Sequence, residues 1–276
     1  MPDKHRLALC ARMICIIMMR AETGSTEHPF MERHLQLGDL KRTCSRCSLQ
    51  QLCLPYGLES ADIEHLEQVV SPANPIARER ELFAQGDRLT AIYAIRGGSL
   101  KTVLVNEDGL EQVMGFYYPG DVLGLDGLAD QRHRCSAVAL ENASVCRIPF
   151  DRLDELVDRL PSLRRQIMRL MSQALSEDEQ LLLTLGRKSS EARIATLLLN
   201  LSRRREARNA SPDRVVLSMS RSDLANFLGM RVETVSRVLH RLQGTGVIRV
   251  NRREVEIHNH DILREWASRG AWVADQ

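Results

Sequence analysis

The chain predicts an α+β fold: a roll of short antiparallel strands, one long helix, then a small helical module closed by a β-hairpin. Short apolar runs recur between glycine turns from about residue 73 to 150, the spacing of an antiparallel barrel or jelly roll. At Pro161 the apolar period becomes helical and stays so to about Arg187. Further on, two short helical segments flank a turn containing Gly229, the pattern of a helix-turn-helix. The expected plan is a flexible extension over 1–34, a strand-rich domain over 35–160, a long helix over 161–187 and a winged helical domain over 188–276.

Ahead of the strands, Cys44, Cys47 and Cys53 are spaced Cys-x2-Cys-x5-Cys. Two cysteines three residues apart turn their sulfurs to one point when the backbone bends between them, and the third follows closely. That is a donor set for a soft metal centre. Cys146, within SVCRIPF, is the candidate fourth ligand. Ser45, Arg46, Ser48, Gln50 and Gln51 make the segment polar, which argues against simple core cysteines. The odd total of 7 Cys argues against a disulfide framework. Spacing alone leaves an iron–sulfur cluster and a zinc site both open.

In the strand region, residues 91–96 and 99–105 flank Gly97-Gly98. Asn106, Glu107, Asp108 and Gly109 then turn the chain into residues 111–117. The helix from Pro161 suits proline at its first turn. Along it, Arg164, Met168, Met171, Leu175, Asp178 and Leu182 form one row spaced alternately by four and three. Leu163, Ile167, Leu170, Ala174 and Leu181 form a second row beside it. A helix with two adjacent apolar rows is expected to bury one against its own domain and the other against a partner, here a second copy; the alternative is a core helix buried wholly within one chain. Asp178 breaks the outer row. Across a two-fold axis it would face its own copy, and two carboxylates repel. Such a dimer is marginal and depends on something else to stabilise it.

After residues 191–202, another amphipathic helix, Ser220 and Asp223 are spaced as a capping box. Gly229 allows the tight turn that follows. Val235, Val238, Leu239 and Leu242 mark the inner face of the second helix; Glu233, Ser236, Arg237 and His240 share the outer one. That outer face suits a major groove, with Arg237 bidentate to guanine, Glu233 accepting from cytosine and Ser236 adaptable. Residues 247–250 and 255–257 read as a wing with arginines at its tip.

Composition agrees. Net charge is only +2 over 276 residues, yet arginines crowd residues 187–253, the footprint of a DNA-facing module. The run Arg203–Arg205 taken alone fits a solvated helix face. The apolar stretch from Leu7 to Met19 is interrupted by Arg12 and followed by no small-residue cleavage site, so neither a signal peptide nor a membrane span is expected. A cytoplasmic protein without a membrane partner is expected. Neither a Ser-His-Asp arrangement, HExxH, a phosphate-binding GxxxxGK[ST] nor a paired-carboxylate signature stands in context, so no enzyme is expected.

These residues resemble the CRP/FNR superfamily of bacterial transcription regulators, and within it the iron–sulfur oxygen sensors. The likeness covers about residues 35–265 and includes LFAQGD, YAIRGGSLK, PGDVLG, MRLMS, LSRR and VETVSR. It implies a cyclic-nucleotide-binding-like β-roll and a 4Fe–4S cluster on Cys44, Cys47, Cys53 and Cys146. It further implies a homodimer that, with the cluster intact, binds inverted repeats of TTGA-type half-sites and activates or represses transcription. Oxygen would convert the cluster to a 2Fe–2S form, destroy it and release the DNA. The same likeness places Glu233, Ser236 and Arg237 on the bases, Asp178 at the repelling seam position, and the Gly109 turn against RNA polymerase. A relative with zinc, haem or nitric oxide as its signal is the alternative.

Where a cAMP pocket needs Gly-Glu and Arg-Ser pairs, this chain has Gly124-Leu125 and Cys135-Ser136, so no cyclic nucleotide is expected. Arg231 stands where relatives often have a capping threonine. Cys10, Cys15 and Cys135 are surplus to the motif, and Ser48 and Leu52 are expected to tune oxygen access to the cluster.

Overall fold

The computed structural model describes residues 44–268, so the expected extension over 1–34, with Cys10 and Cys15, lies outside the described residues. A short 3-10 turn, Cys44–Arg46, leads through further turns to α1, Ser60–Val69, which buries Ile63 and Leu66. The strands follow as β1 (Ser71–Pro72), β2 (Glu81–Phe83), β3 (Ala91–Gly97), β4 (Leu100–Val105), β5 (Glu111–Tyr117), β6 (Val122–Leu123), β7 (Ser136–Ala139) and β8 (Ser144–Pro149). They form two four-stranded antiparallel sheets, ordered β1-β8-β3-β6 and β2-β7-β4-β5.

The central strand β3 is buried from Ala91 to Ile95, and its alternation explains the unbroken apolar run. Ala91, Tyr93 and Ile95 point between the sheets, with Phe83, Leu100, Leu123 and Val145. Ile92 and Ala94 point outward, under Leu66 of α1, Leu153 and Leu156 of α2 (Phe150–Arg159), and Leu163. This outer layer carries the functional cysteines, because Cys146 pairs with Ala94 of β3 and Pro72 of β1.

Helix α3 (Pro161–Arg187) begins with proline in its first turn. Leu163 is fully buried, and Ile167 and Leu170 pack partly on the same layer. Helix α4 (Ser190–Glu206) starts where the Ser189 hydroxyl accepts from the Ala192 amide at 3.2 Å. Then come β9 (Arg214–Val216), α5 (Arg221–Phe227), α6 (Val232–Gly244), β10 (Ile248–Asn251), β11 (Glu254–Ile257) and α7 (His260–Ser268). The wing is therefore a three-stranded sheet, ordered β10-β11-β9. Ile194, Leu198, Leu224, Val235, Leu239 and Leu242 share its core.

The basic run differs from the sequence expectation. α4 continues through Arg203–Arg205, and Arg204 is not a solvated face residue: it donates to Asp121 Oδ2 at 2.6 Å and to Glu177 Oε2 at 2.7 Å. Arg208 donates to the Pro119 carbonyl at 2.6 Å. Part of the positive charge thus binds the C-terminal module to the strand roll rather than facing a ligand. Lys101 on β4 pairs with Asp223 of α5 at 2.5 Å, and Phe116 meets Phe227 with centroids 5.0 Å apart. Among the described residues, no helix is long and apolar enough to cross a membrane.

Candidate metal centre and nucleic-acid interface

Cys44, Cys47, Cys53 and Cys146 line one pocket, together with Leu49, Leu54, Leu66, Ala94, Arg96 and Ile148, with an empty volume of about 440 Å³ including its open mouth. Successive turns curl the segment: the Cys47 amide donates to the Cys44 carbonyl, and the Gln50 amide to the Cys47 carbonyl, both at 3.1 Å. Both the Ser45 amide and hydroxyl donate to Glu67 Oε1, at 2.7 and 2.8 Å, tying the segment to α1. The Leu52 side chain presses on Gly120, whose φ of +98° puts its backbone in the left-handed region; Ser48 is exposed.

Burial, with a smaller push from the nearby cysteines, raises the Cys44 and Cys53 thiols to about 12 each. Each thiolate is therefore disfavoured until a cation compensates it, and metal coordination does that outright. Among the described residues no three His, Cys, Asp or Glu side chains are gathered to hold a single metal ion. Four cysteines around a largely apolar recess are sulfur donors of the kind a soft metal centre takes. Cys135 lies away from this pocket, with its Sγ donating to Asp126 Oδ2 at 3.5 Å.

Sequence reading missed how the cysteine segment is joined to α3. The buried Gln166 donates from Nε2 to the Cys53 carbonyl at 3.0 Å. One turn on, the Arg169 guanidinium lies over the Tyr56 ring, 3.8 Å from its centroid. Ser162 donates to Asp62 of α1. Gln166 was visible as a polar residue beside the inner row Leu163, Ile167 and Leu170, a position that needs a partner when buried. On the other side of α3, Arg164, Met168, Met171, Leu175, Asp178 and Leu182 are all exposed. Met168 at 63%, Leu175 at 62% and Leu182 at 69% leave a large apolar stripe uncovered. Partial burial raises the Asp178 carboxyl above its ordinary value.

At the other end, Ser220 and Asp223 form a capping box on α5. Gly229, at φ +60°, turns the chain into α6. Val235, Val238, Leu239 and Leu242 are buried beneath it, so Glu233, Ser236, Arg237 and His240 stand exposed on one face. Arg231 occupies the N-cap of α6 without a side-chain cap bond. Between β4 and β5, Gly109 takes φ +76°, and Asn106 Oδ1 accepts from the Asp108 and Leu110 amides at 3.1 and 2.8 Å. Leu110 beside it is 67% exposed.

Residues 75–160 match the cyclic nucleotide-binding domain family, and residues 192–266 match the Crp-like helix-turn-helix domain family. Over 214 residues the chain is 46% identical to the transcriptional activator protein Anr of Pseudomonas protegens, covering 78% of this chain and 88% of that one. It is 40% identical over 242 residues to the fumarate and nitrate reduction regulatory protein of Escherichia coli K12, covering 88% and 97%. The structure of FixK2 from Bradyrhizobium japonicum superposes with a TM-score of 0.66 at 28% identity, covering 72% of this chain and 97% of that one. With both domain families in order and relatives of that similarity along most of its length, this chain belongs to the CRP/FNR family of DNA-binding transcription regulators and is not an enzyme.

Proposed function

We propose that this regulator answers oxygen through a 4Fe–4S cluster held by Cys44, Cys47, Cys53 and Cys146. The observation that carries the reading is the meeting of three cysteines from one segment and a fourth from β8 on a single largely apolar pocket. When bound, such a cluster supplies oxygen-labile iron and compensates the Cys44 and Cys53 thiolates, which burial otherwise disfavours. The relatives named Anr and fumarate and nitrate reduction regulatory protein support the same reading.

The chain's own residues relay the state of the pocket. Gln166 holds the Cys53 carbonyl and Arg169 covers Tyr56, so the cysteine segment and the first turns of α3 move together. Order in that segment steadies α3, and Met168, Met171, Leu175 and Leu182 then pair with a second copy, with Arg164 at the edge of the seam. Asp178 opposes the pairing, so the dimer forms only when the segment is held. The dimer presents two α6 helices to an inverted repeat of TTGA-type half-sites. There Arg237 reads guanine, Glu233 accepts from cytosine and Ser236 adds an adaptable contact. The Gly109 turn, with exposed Leu110 and Met114 beside it, offers a contact for RNA polymerase. Such a regulator works in the cytoplasm.

Anaerobic purification followed by an absorption spectrum and iron, sulfide and zinc analysis tests the reading. A charge-transfer band with about four irons per chain, lost on exposure to air, is expected. Zinc, or no metal and a spectrum indifferent to air, would overturn the cluster and leave a DNA-binding regulator with another signal.

A further inference from the structure

We infer that Arg193 sets the angle between the dimerisation helix and the DNA-reading helix, and so determines which spacing between half-sites the protein accepts. Its side chain lies where three segments meet. Nη2 donates to the Leu185 carbonyl in the last turn of α3 at 2.6 Å, and Nε donates to the Lys188 carbonyl in the hinge at 3.1 Å. Nη1 donates to the Leu228 and Gly229 carbonyls at 2.8 and 3.3 Å, in the turn of the helix-turn-helix.

The last carbonyls of a helix lack intrahelical partners and carry the negative end of its dipole. Leu185 lies in the final turn of α3, and Leu228 is the C-cap of α5. One cationic fork therefore satisfies the ends of two helices and the linker between them. A planar guanidinium has five donors at fixed angles; an ammonium has three on a pivoting stem and cannot hold several directions at once. Contact at Gly229 tightens the arrangement. A methyl added there would stand 3.6 Å from Arg193 Nη1 and 3.8 Å from Leu185 Cδ2, so the turn abuts the end of α3 directly. Beside it, Lys188 donates to Thr196 Oγ1 at 2.8 Å, which fastens the hinge to α4.

In a two-fold dimer, α3 defines the axis, and the turn at Gly229 defines where α6 begins. The angle between them fixes the distance and rotation between the two reading helices. Each base pair added between half-sites turns one of them by about 34° and moves it about 3.4 Å along the DNA. A rigid join accepts one spacing; a loose join accepts neighbours. The inference rests on the inverted-repeat reading above, and is independent of whether the cysteines bind iron–sulfur or zinc.

The experiment compares full-length, anaerobically purified wild type with Arg193→Lys and Arg193→Gln. Each is titrated against duplexes with the same two half-sites at the preferred spacing and at one base pair more and fewer, and against a single half-site. Thermal melting reports folding. The ratio of affinities between the preferred and altered spacings is expected to shrink about fivefold or more in both variants, with single half-site affinity and melting kept in Arg193→Lys. A lysine variant as selective as wild type would overturn the inference, as would one that weakens binding equally at every spacing, the mark of a merely structural role. A wild type indifferent to spacing would overturn the inverted-repeat reading, and this inference with it.

Discussion

Cys44, Cys47, Cys53 and Cys146 line a largely apolar recess, whereas Glu233, Ser236 and Arg237 stand in solvent on one turn of α6. The first site is assembled from a turn-rich segment, the inner strands β3 and β8 and the underside of α1. The second is one helix face carried by a buried row of Val235, Val238, Leu239 and Leu242. The difference follows from the two chemistries. A thiol site must withhold its ligands from water and stays costly until a cation enters it. A groove-reading face must be displayed and needs only correct spacing and a rigid support. Damage to the recess should therefore spread through Gln166 and Arg169 to the dimer, and damage to the reading face should stay local.

The largest expected effect is at the recess. Cys146→Ser keeps the shape of β8 and removes one sulfur. Anaerobically purified variant protein should fall from about four irons per chain to almost none, and its binding to an inverted-repeat duplex should fall with the iron. Retention of a full complement of iron would show that Cys146 is not a ligand and that the pocket's ring of sulfurs is incidental.

Next comes the display face. Arg237→Ala should cost about 1–3 kcal/mol of discrimination at one G·C pair of each half-site, while iron content matches wild type. Competition binding with each base substituted in turn reads this directly. An unchanged base preference would remove Arg237 from the reading set, and an altered iron content would erase the contrast between a spreading site and a local one.

The contrast also explains how much was legible beforehand. Several local features were readable from residues: the capping box at Ser220, the turn at Gly229, the polar face of α6 and the long helix from Pro161; the short helices α1, α2 and α7 were not. The motif at Cys44, Cys47 and Cys53 was readable for the same reason. That Cys146 shares their pocket depends on the pairing of β8 with β3, which no local pattern encodes; Cys146 stood only as a candidate fourth ligand, to which the family likeness added a match. Gln166 and Arg193 were missed because their partners are backbone carbonyls, which leave no signature in residue type. The arginines of α4 misled for a related reason. Positive charge looks alike in sequence whether it meets phosphate or, as at Arg204, the carboxylates of Asp121 and Glu177.

A smaller effect tests the join between the two regions. Partial burial alone would raise the Asp223 carboxyl, but hydrogen bonds from Lys101 and Ser220 outweigh it and hold the group below its ordinary value. A lowered folded-state value contributes stability that is complete above about pH 3.9, the unfolded value, and is lost as pH falls through the folded one. Lys101→Met should therefore cost about 1–3 kcal/mol at pH 7, and that cost should shrink toward pH 3. Denaturant midpoints at both values check it. An equal cost at both would mean that lost packing by the lysine stem, and not its charge, accounts for the effect.

The smallest expected effect is the one on which the proposed switch turns. Asp178 stands on the exposed apolar stripe of α3, and its carboxyl is raised by partial burial. A raised value in an acid has the opposite sign to that of Asp223: the ionised form is the disfavoured one, so the penalty is present at neutral pH and eases as pH falls. Pairing two copies along the stripe would bring two such carboxylates together and deepen the penalty. At about 4 Å in water the repulsion is on the order of 1 kcal/mol, roughly a fivefold change in association. In air, sedimentation velocity should show Asp178→Ala forming dimer at a concentration about fivefold lower than wild type. Wild type should associate more readily from pH 7 toward pH 5, and the variant should lack that component. A term this small can decide the state of the chain only if the rest of the seam is nearly balanced. Met168, Leu175 and Leu182 must then supply just enough apolar burial to be tipped by the order of the cysteine segment. If Asp178→Ala leaves association unchanged in air at every pH, the stripe is not the seam, and oxygen control must act elsewhere than on dimer formation.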